Sequence, residues 1–415
     1  MRRSRSIPLG DPFLFALVVG LSLFGIAMVF SAGVLDVPNS IVRGLWRTQL
    51  LWFCLGMIAL PFVLKVPVIW LEWAAQPLYA LAIVLLVLTI FIGTGAGTAA
   101  SVSGWLAVGP IRIQPSEFAK IAVILMLARV LGSWREAPRT LWALWKPIAI
   151  VMVPMALVMK QPDLGTALVF GSILLAMLFW AGTPLPTIFF LISPVVGLFL
   201  SINPWLWGAY IVLLGLAMAF LYKPYLSEGV TIMLVNIVAG TVALPLWNSL
   251  QQYQKNRFLV FLDPNIDARG AGYNLIQSRV AIGSGGLFGK GFLEGSQKRL
   301  AFLPEQHTDF IFAVFGEEFG FLGNLLLLLL FTLIISRGVV IAAQAQTTFN
   351  RLLAGSITLT FFTYVFVNIG MVSGILPVVG VPLPLISYGG TSLVTILLCF
   401  GILMSIHTHK KLVTT

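Results

Sequence analysis

The sequence predicts an all-α fold, a polytopic integral membrane bundle of helices with one large extracytoplasmic loop. Of the 415 residues, 59% are hydrophobic and only 9% are charged, whereas soluble domains carry about 25% charged residues. The mean hydropathy of +1.00 is typical of repeated membrane-spanning helices. These values exclude a cytosolic enzyme, a disordered chain, a secreted disulfide scaffold and an outer-membrane barrel with alternating strands and a polar lumen.

Apolar segments separated by short polar stretches fill most of the chain. A helix needs roughly 20 residues to cross about 30 Å of hydrocarbon. We predict spans in twelve segments: 12–33, 48–66, 76–94, 115–132, 147–160, 164–181, 186–203, 206–222, 229–248, 309–336, 352–376 and 389–407.

Basic residues predict the orientation, because they gather in short cytoplasmic loops. Arg2, Arg3 and Arg5 place the N-terminus in the cytoplasm. With an even number of spans, the later basic clusters fall on the same side: Arg129, Arg135, Arg139, Lys146, Lys223, Arg337, Arg351, Lys410 and Lys411. Both termini are therefore predicted to be cytoplasmic, and the net charge of +11 does not indicate nucleic acid as a partner.

The polar segment 249–308 lies outside on this topology. Its seven basic and four acidic residues give 7 − 4 = +3. Long loops cross membranes regardless of charge, so this excess is either merely tolerated or forms a surface for an anionic substrate. The basic residues are Lys255, Arg257, Arg269, Arg279, Lys290, Lys298 and Arg299.

Asp267 is the carboxylate of this loop that we single out. Aspartate is common in ordinary turns, but a carboxylate beside Arg269 at a membrane face can also act as a general base. The glycine-rich run 283–291 could form an anion-binding nest. It is not a phosphate loop, because Ser284 and Gly291 stand where that motif needs glycine and serine or threonine.

Charged residues near the ends of spans are further candidates, because intramembrane charges are costly and usually functional. Glu117 and Lys120 share one helix face and form either a site or a structural ion pair. Asp163 opens the sixth segment and is either functional or only an N-cap. Adjacent Glu317 and Glu318 point in different directions, so we expect at most one of them to line a given cavity.

The segment Gly380–Ser392 leads into the last span with prolines, glycines and hydroxyl groups, Ser387 among them. At membrane depth, such a composition predicts a re-entrant or broken stretch that lines a cavity.

Five runs of residues resemble the SEDS family, named for shape, elongation, division and sporulation. They are Gln114–Lys120, Gln161–Thr166, Asp267–Tyr273, Leu303–Gly320 and Gly380–Ser392, so the resemblance covers nearly the whole chain. The runs Phe302–Val314, Val367–Leu376 and Ser405–Lys410 resemble the members that act in elongation more than those that act in division.

The resemblance implies a peptidoglycan glycosyltransferase that polymerises lipid II at the outer face of the bacterial inner membrane. It implies as partners a class B penicillin-binding protein, other membrane proteins of the elongation complex and membrane lipids. The family's essential aspartate, in its Asp-Pro-x-Gly-x-Gly-Tyr motif, falls on Asp267, although Ala268 replaces the usual proline.

The family generally has ten spans, so this chain carries a probable extra pair, 206–222 and 229–248. We therefore predict one membrane domain over 1–415, with an inserted hairpin at 205–248 and a catalytic loop at 249–308.

An inverting transfer needs a base for the acceptor hydroxyl and positive charge at the departing undecaprenyl diphosphate. Asp267 is the expected base. Lys120, oriented by Glu117, Arg47 and basic loop residues are expected at the diphosphate, with a divalent cation such as Mg²⁺ or Mn²⁺ as a further candidate but no metal ligands assigned. The other expected substrate-binding residues are Asp163, Lys290, His307 and Ser387.

Two other classes of function compete with this interpretation. A lipid II flippase would also place polar residues within spans, but it would not need a base in an outer loop. A non-catalytic scaffold would leave the Glu117–Lys120 pair unexplained.

Overall fold

The computed structural model describes residues 10–36, 42, 44–95, 103–109, 111–249, 255, 259–261, 263–267, 271–300, 302, 303 and 305–413. The basic residues Arg2, Arg3, Arg5, Arg257 and Arg269 lie outside this part of the chain, as do Ala268 and Gly270.

The helices of the first half follow the predicted segments. They are α1 (Pro12–Ala32), α2 (Leu45–Lys65), α3 (Val68–Ile92), α4 (Pro115–Gly132), α5 (Trp145–Met159), α6 (Leu164–Trp180), α7 (Leu185–Leu200), α8 (Pro204–Ala217) and α9 (Leu226–Ser249). A 3₁₀ turn, Leu141–Leu144, precedes α5, and a π turn, Met218–Tyr222, follows α8.

The polar loop contains a 3₁₀ turn (Pro264–Asp267), the helix α10 (Ala271–Ser284) and one helical turn, α11 (Ser296–Arg299). Three long helices complete the chain: α12 (Ile311–Ala343), α13 (Thr348–Ser373) and α14 (Gly390–Val413). All twelve predicted segments are thus helical, which confirms the predicted fold class.

Two details before α4 differ from the prediction. Strands β1 (Leu106–Val108) and β2 (Ile111–Ile113) form a small antiparallel hairpin between α3 and α4, with Leu106 opposite Ile113. The predicted start of the third span at residue 76 was wrong, because α3 begins at Val68 and continues through Pro77.

The chain spans a membrane several times. Within the described residues, eight helical segments are long and apolar enough to cross a bilayer, and three more apolar helices are shorter. α13 lies at the centre, packed against α4, α6 and α12, while α14 packs against α2. The central core is therefore built by helices from both halves of the chain.

Helices α8 and α9 pack mainly on α7 and form a second, smaller core of Phe190, Leu214, Met218 and Ile232. The Nδ2 atom of Asn236 donates to Ser193 Oγ across 2.9 Å. These contacts join the α8–α9 hairpin to α7 rather than to the central core. That the hairpin is an inserted unit stays a prediction.

A deletion that joins residue 204 to residue 249 should still insert into the membrane and retain part of the activity that the family resemblance implies. We expect a lower melting temperature in detergent, because Phe190 and Ser193 of α7 lose their partners. Membrane fractionation and a thermal shift measurement check the first two points. An inserted, stable deletion variant without activity would instead mean that the hairpin walls the substrate path.

Candidate functional site

Glu117 and Lys120 form an ion pair inside the helix bundle. Their residues are only 5% and 4% exposed, and Lys120 Nζ lies 2.6 Å from Glu117 Oε1. Lys120 also donates to the hydroxyl of Tyr364 on α13, and its Nζ lies 4.9 Å from the centroid of that ring. The two charges that the sequence singled out are thus paired, with Tyr364 as a third member.

A cavity of about 40 Å³ adjoins this pair between α4, α13 and α14. Its other walls are mostly apolar and include Ile124, Phe361 and Phe400. A space of this size holds on the order of two or three water molecules, and a diphosphate does not fit. Direct contact between Lys120 and a diphosphate stays a prediction that requires the cavity to open.

Asp163 caps the N-terminus of α6. Its carboxylate accepts hydrogen bonds from the backbone N–H of Thr166 at 2.9 Å and from the Thr166 hydroxyl at 2.7 Å. Gln114, which precedes α4, donates to the same carboxylate at 3.3 Å. These contacts are those of an N-cap residue. A role of Asp163 in substrate binding stays a prediction.

Ser387 and His307 lie together, because the segment before α14 packs on the segment before α12. The Ser387 hydroxyl donates to Thr308 O at 2.6 Å, and Tyr388 N donates to His307 O at 2.8 Å.

Gln49 of α2, which the sequence analysis missed, holds the same segment. Its Nε2 atom donates to Ser387 O at 3.1 Å and its Oε1 atom accepts from Gly389 N at 3.1 Å. Both ends of one buried amide therefore fix the stretch before α14 onto α2.

His307 is neutral at pH 7, because burial lowers the pKa of its imidazole from 6.5 to about 4. Its ring lies 5.9 Å from the ring of Tyr388. The Nδ1 atom is buried and has no hydrogen-bond partner among the described residues. This imidazole can thus offer a hydrogen bond to a ligand.

Arg47 lies in the first turn of α2 and is exposed. Its guanidinium carbon lies 5.4 Å from the centroid of the Trp46 ring. Arg47 is therefore a cation near the Gln49 contact that a ligand can reach.

Asp267 ends the 3₁₀ turn at the start of the loop and is half-buried. Helix α10 packs directly on this turn, since a Cβ atom at Gly272 would lie 2.2 Å from Pro264 O and 2.9 Å from Asp267 O. The glycine of the family-like motif thus permits the close approach that connects Asp267 to α10.

The glycine-rich run uses its backbone N–H groups within the protein. Lys290 N and Gly291 N donate to the carbonyls of Glu317 and Glu318, each at 3.0 Å. Gly320 interrupts α12 here with φ 65° and ψ −162°. The run is therefore fastened along the break in α12, and these N–H groups do not form an open anion nest.

Glu317 and Glu318 are both buried and both hold the loop. Glu317 Oε1 lies 2.6 Å from Lys290 Nζ, while Glu318 pairs with Lys298. Both carboxylates therefore contact the loop, each with its own lysine. That at most one of them lines a given cavity stays a prediction.

Four of the basic residues that the structure describes in the loop bond to other groups of the protein. Arg299 Nη2 lies 3.0 Å from Asp36 Oδ1, and Arg279 donates to the carbonyls of Ser373 and Gly374. With Lys290 and Lys298 also paired, these residues do not form the free anionic-substrate surface that was one interpretation of the sequence.

Metal ligands do not cluster in the part of the chain that the structure describes, where no group of three His, Cys, Asp or Glu residues could hold an ion. The carboxylates of Glu117, Asp163, Glu317 and Glu318 are engaged by lysines, hydroxyls and amides. These residues do not fit a resident divalent cation, and we derive no step through one.

The structure thus assembles the predicted residues into three groups: Glu117 with Lys120, His307 with Ser387, and Lys290 with Glu317. Sequence reasoning missed Tyr364 and Gln49, and it did not distinguish Lys298 from the other basic residues of the loop. A polar side chain within an apolar helix was the available signal for Tyr364 and Gln49.

Comparisons with known proteins agree with these motifs. The family model for FtsW, RodA and SpoVE, described as cell cycle proteins, matches residues 12–412. The peptidoglycan glycosyltransferase MrdB of Escherichia coli K12 is 41% identical over 404 residues, which cover 97% of this chain and 95% of that protein.

Two further relatives span nearly the whole chain. The peptidoglycan glycosyltransferase RodA of Treponema pallidum is 34% identical and covers 98% of this chain and 100% of its own. A chain from a solved peptidoglycan synthase complex, described for its coordination of polymerisation and crosslinking, has a TM-score of 0.71 at 27% identity. It covers 97% of this chain and 98% of its own. The family resemblance expected from the sequence is confirmed.

Glu117→Ala and Lys120→Ala should each lower the melting temperature in detergent, because either change leaves one buried charge unpaired, at a typical cost of about 3–5 kcal/mol. The double variant Glu117→Gln/Lys120→Met should recover most of this stability. We expect activity to fall more with Lys120→Ala than with Glu117→Ala, and to stay low in the double variant. Parental activity in all three variants would remove the pair from the site.

Proposed function

The chain belongs to the FtsW, RodA and SpoVE family of cell cycle proteins, and we propose that it is a peptidoglycan glycosyltransferase that polymerises lipid II into glycan strands during cell elongation. The observation that carries this proposal is the 41% identity, over almost the full length, to a protein named as such an enzyme. The position of Asp267, on a turn that packs against α10, supports the proposed function.

The protein is a multi-pass membrane protein, and we place it in the bacterial inner membrane with both termini in the cytoplasm. Nine helical segments, an odd number, precede the loop that carries Asp267, so a cytoplasmic N-terminus puts this loop on the outer side. The N-terminal ends of α4, α6, α12 and α14 face that same side. The ion pair, the Asp163 cap and the His307–Ser387 contact would therefore all lie near the outer surface.

The reaction is a single displacement at the anomeric carbon of the donor. The Asp267 carboxylate accepts the proton of the acceptor's 4-hydroxyl as that oxygen forms the new bond. The bond from the anomeric carbon to the diphosphate breaks, and undecaprenyl diphosphate leaves with the electron pair. Attack from the opposite face converts the α-linked donor into a β-linked product.

Stabilising the charge of the departing diphosphate needs a cation that is exposed to the ligand. Lys120 is buried with Glu117 and Tyr364, and Lys290 is paired with Glu317. Arg47 is exposed, and its planar guanidinium suits phosphate oxygens. Arg47 is therefore the first candidate to stabilise the leaving group, with Lys290 as the second, because its side chain is 30% exposed.

A class B penicillin-binding protein that crosslinks the strands is the proposed partner. The similar chain in the solved peptidoglycan synthase complex supports this assignment, since that work describes coordinated polymerisation and crosslinking. Other membrane proteins of the elongation complex are proposed on the family resemblance alone.

Asp267→Asn should reduce polymerisation of lipid II by the purified protein about 10²–10⁴-fold, because the amide cannot accept the proton. Gel separation of the glycan strands measures this loss. Asp263→Asn is the matched control: Asp263 lies on the same turn, is exposed, and binds its own turn through Asn265 N at 3.0 Å.

The control variant should polymerise lipid II at the parental rate. An Asp267→Asn variant with parental activity would refute the base assignment. If neither the parent nor its variants polymerise lipid II, but all move fluorescent lipid II across vesicle membranes, the flippase interpretation replaces the proposed function.

A further inference from the structure

A second ion pair is completely buried, and its residues were given no part in the reaction proposed above. The side chains of Lys298, in α11, and Glu318, in α12, are both 0% exposed. Lys298 donates to Glu318 Oε1, to Ser31 Oγ and, across 3.2 Å, to Ser31 O. Ser31 Oγ in turn donates to Glu318 Oε1 at 2.5 Å. We call these three residues the lysine lock.

The lysine lock joins three parts of the chain that are far apart in sequence: the end of α1, the outer loop and the first turns of α12. Burial lowers the pKa of Lys298, and the adjacent Glu318 opposes this effect. Because buried ion pairs recover only part of their desolvation cost, apolar residues could stabilise the same contact equally well. Beyond stability, the lysine lock fixes the positions of α1, the loop and α12 relative to one another.

Backbone contacts join the turns of α12 that carry Glu318 to the loop segment between α10 and α11. Glu318 O accepts a hydrogen bond from Gly291 N at 3.0 Å. A Cβ atom at Gly285, directly after α10, would lie 2.1 Å from Gly316 O. The C-terminal end of α10 is therefore pressed against the same turns of α12 that carry Glu318.

Helix α10 then connects the lysine lock to Asp267. Its 14 residues span roughly 21 Å as a rigid element, and the Ser278 hydroxyl seats it on α13 by a hydrogen bond to Val372 O at 2.8 Å. Its N-terminal end packs on the turn of Asp267 through Gly272. A shift at one end of this helix moves the carboxylate at the other.

We propose that Lys298, Glu318 and Ser31 are positioning residues for the transfer reaction, which set the place of Asp267 through α10. This inference rests on the proposed function and adds residues that do not themselves touch the substrate. It requires that loss of the lysine lock lowers kcat without an equal change in KM, since a small displacement of a reacting group costs rate more than binding.

The decisive variant is the double substitution Lys298→Met/Glu318→Gln, which removes both charges and leaves none unpaired. We expect it to insert and to melt within a few degrees of the parent, while kcat for lipid II polymerisation falls at least about tenfold. KM should stay within about twofold of the parental value. If the kcat of the double variant equals the parental kcat, the proposal is overturned and the pair is a folding contact only.

The neighbouring pair Arg299–Asp36 provides a matched control, because it joins the same loop to the segment that follows α1. Its side chains are 46% and 51% exposed, and exposed pairs contribute little to stability. Arg299→Met/Asp36→Asn should therefore keep the parental kcat and KM. A loss of kcat equal to that of the buried double variant would show that any change in this region slows the reaction, which would also overturn the proposal.

Ser31→Ala decides the question if the buried double variant does not insert. It keeps both charges and removes only the shared hydroxyl, so we expect a stable protein with a several-fold lower kcat and an unchanged KM. A parental kcat in Ser31→Ala would refute the proposal. Asp267→Asn is measured in the same assay: an active parent with an inactive Asp267→Asn variant shows that the proposed function holds, whatever the lysine lock variants give.

Discussion

Pairing of charges within the helix bundle is the constraint on which the rest of this structure depends. A lone charge in a membrane-spanning helix is costly, and three charged side chains of the described residues bond to groups from distant parts of the chain. Lys120 of α4 bonds to Tyr364 of α13, Arg337 of α12 bonds to Asp11 before α1, and Glu318 of α12 bonds to Lys298 of the loop. These contacts join parts of the chain that are distant in sequence. On the proposed topology, the Lys120 and Glu318 contacts lie at the outer end of the bundle, where the reaction is proposed to occur, and the Arg337–Asp11 contact lies at the cytoplasmic end.

The same constraint makes the outer loop a fixed part of the protein. Its glycine-rich run bonds through the backbone to the break in α12, and Lys290 and Lys298 bond to adjacent glutamates of that helix. A transferase that binds a flexible lipid-linked substrate gains from groups that are already in place before the substrate arrives. Lys290 and Lys298 thus serve to attach the loop, and Arg47 of α2 is one of the exposed cations among the described residues.

Sequence periodicity and composition predicted the helices well, because each span must be apolar along its whole length. The prediction ended the tenth span at residue 336, one residue before Arg337, but α12 continues to Ala343 because Arg337 pairs with Asp11. Local spacing likewise predicted the Glu117–Lys120 pair and the Asp163 cap, which involve residues three positions apart. Gln49 with Ser387 and Ser31 with Glu318 are separated by 338 and 287 residues, and no local pattern carries that information.

The most direct measurement of the central claim is the stoichiometry and linkage of the product that the purified chain makes from lipid II, alone and with its crosslinking partner. The account predicts glycan strands that a β-1,4-specific muramidase digests completely, with one undecaprenyl diphosphate released for each new glycosidic bond. Strands that resist the muramidase would contradict the inverting displacement. Absence of polymer from the intact protein, with or without the partner, would contradict the assignment as a glycosyltransferase.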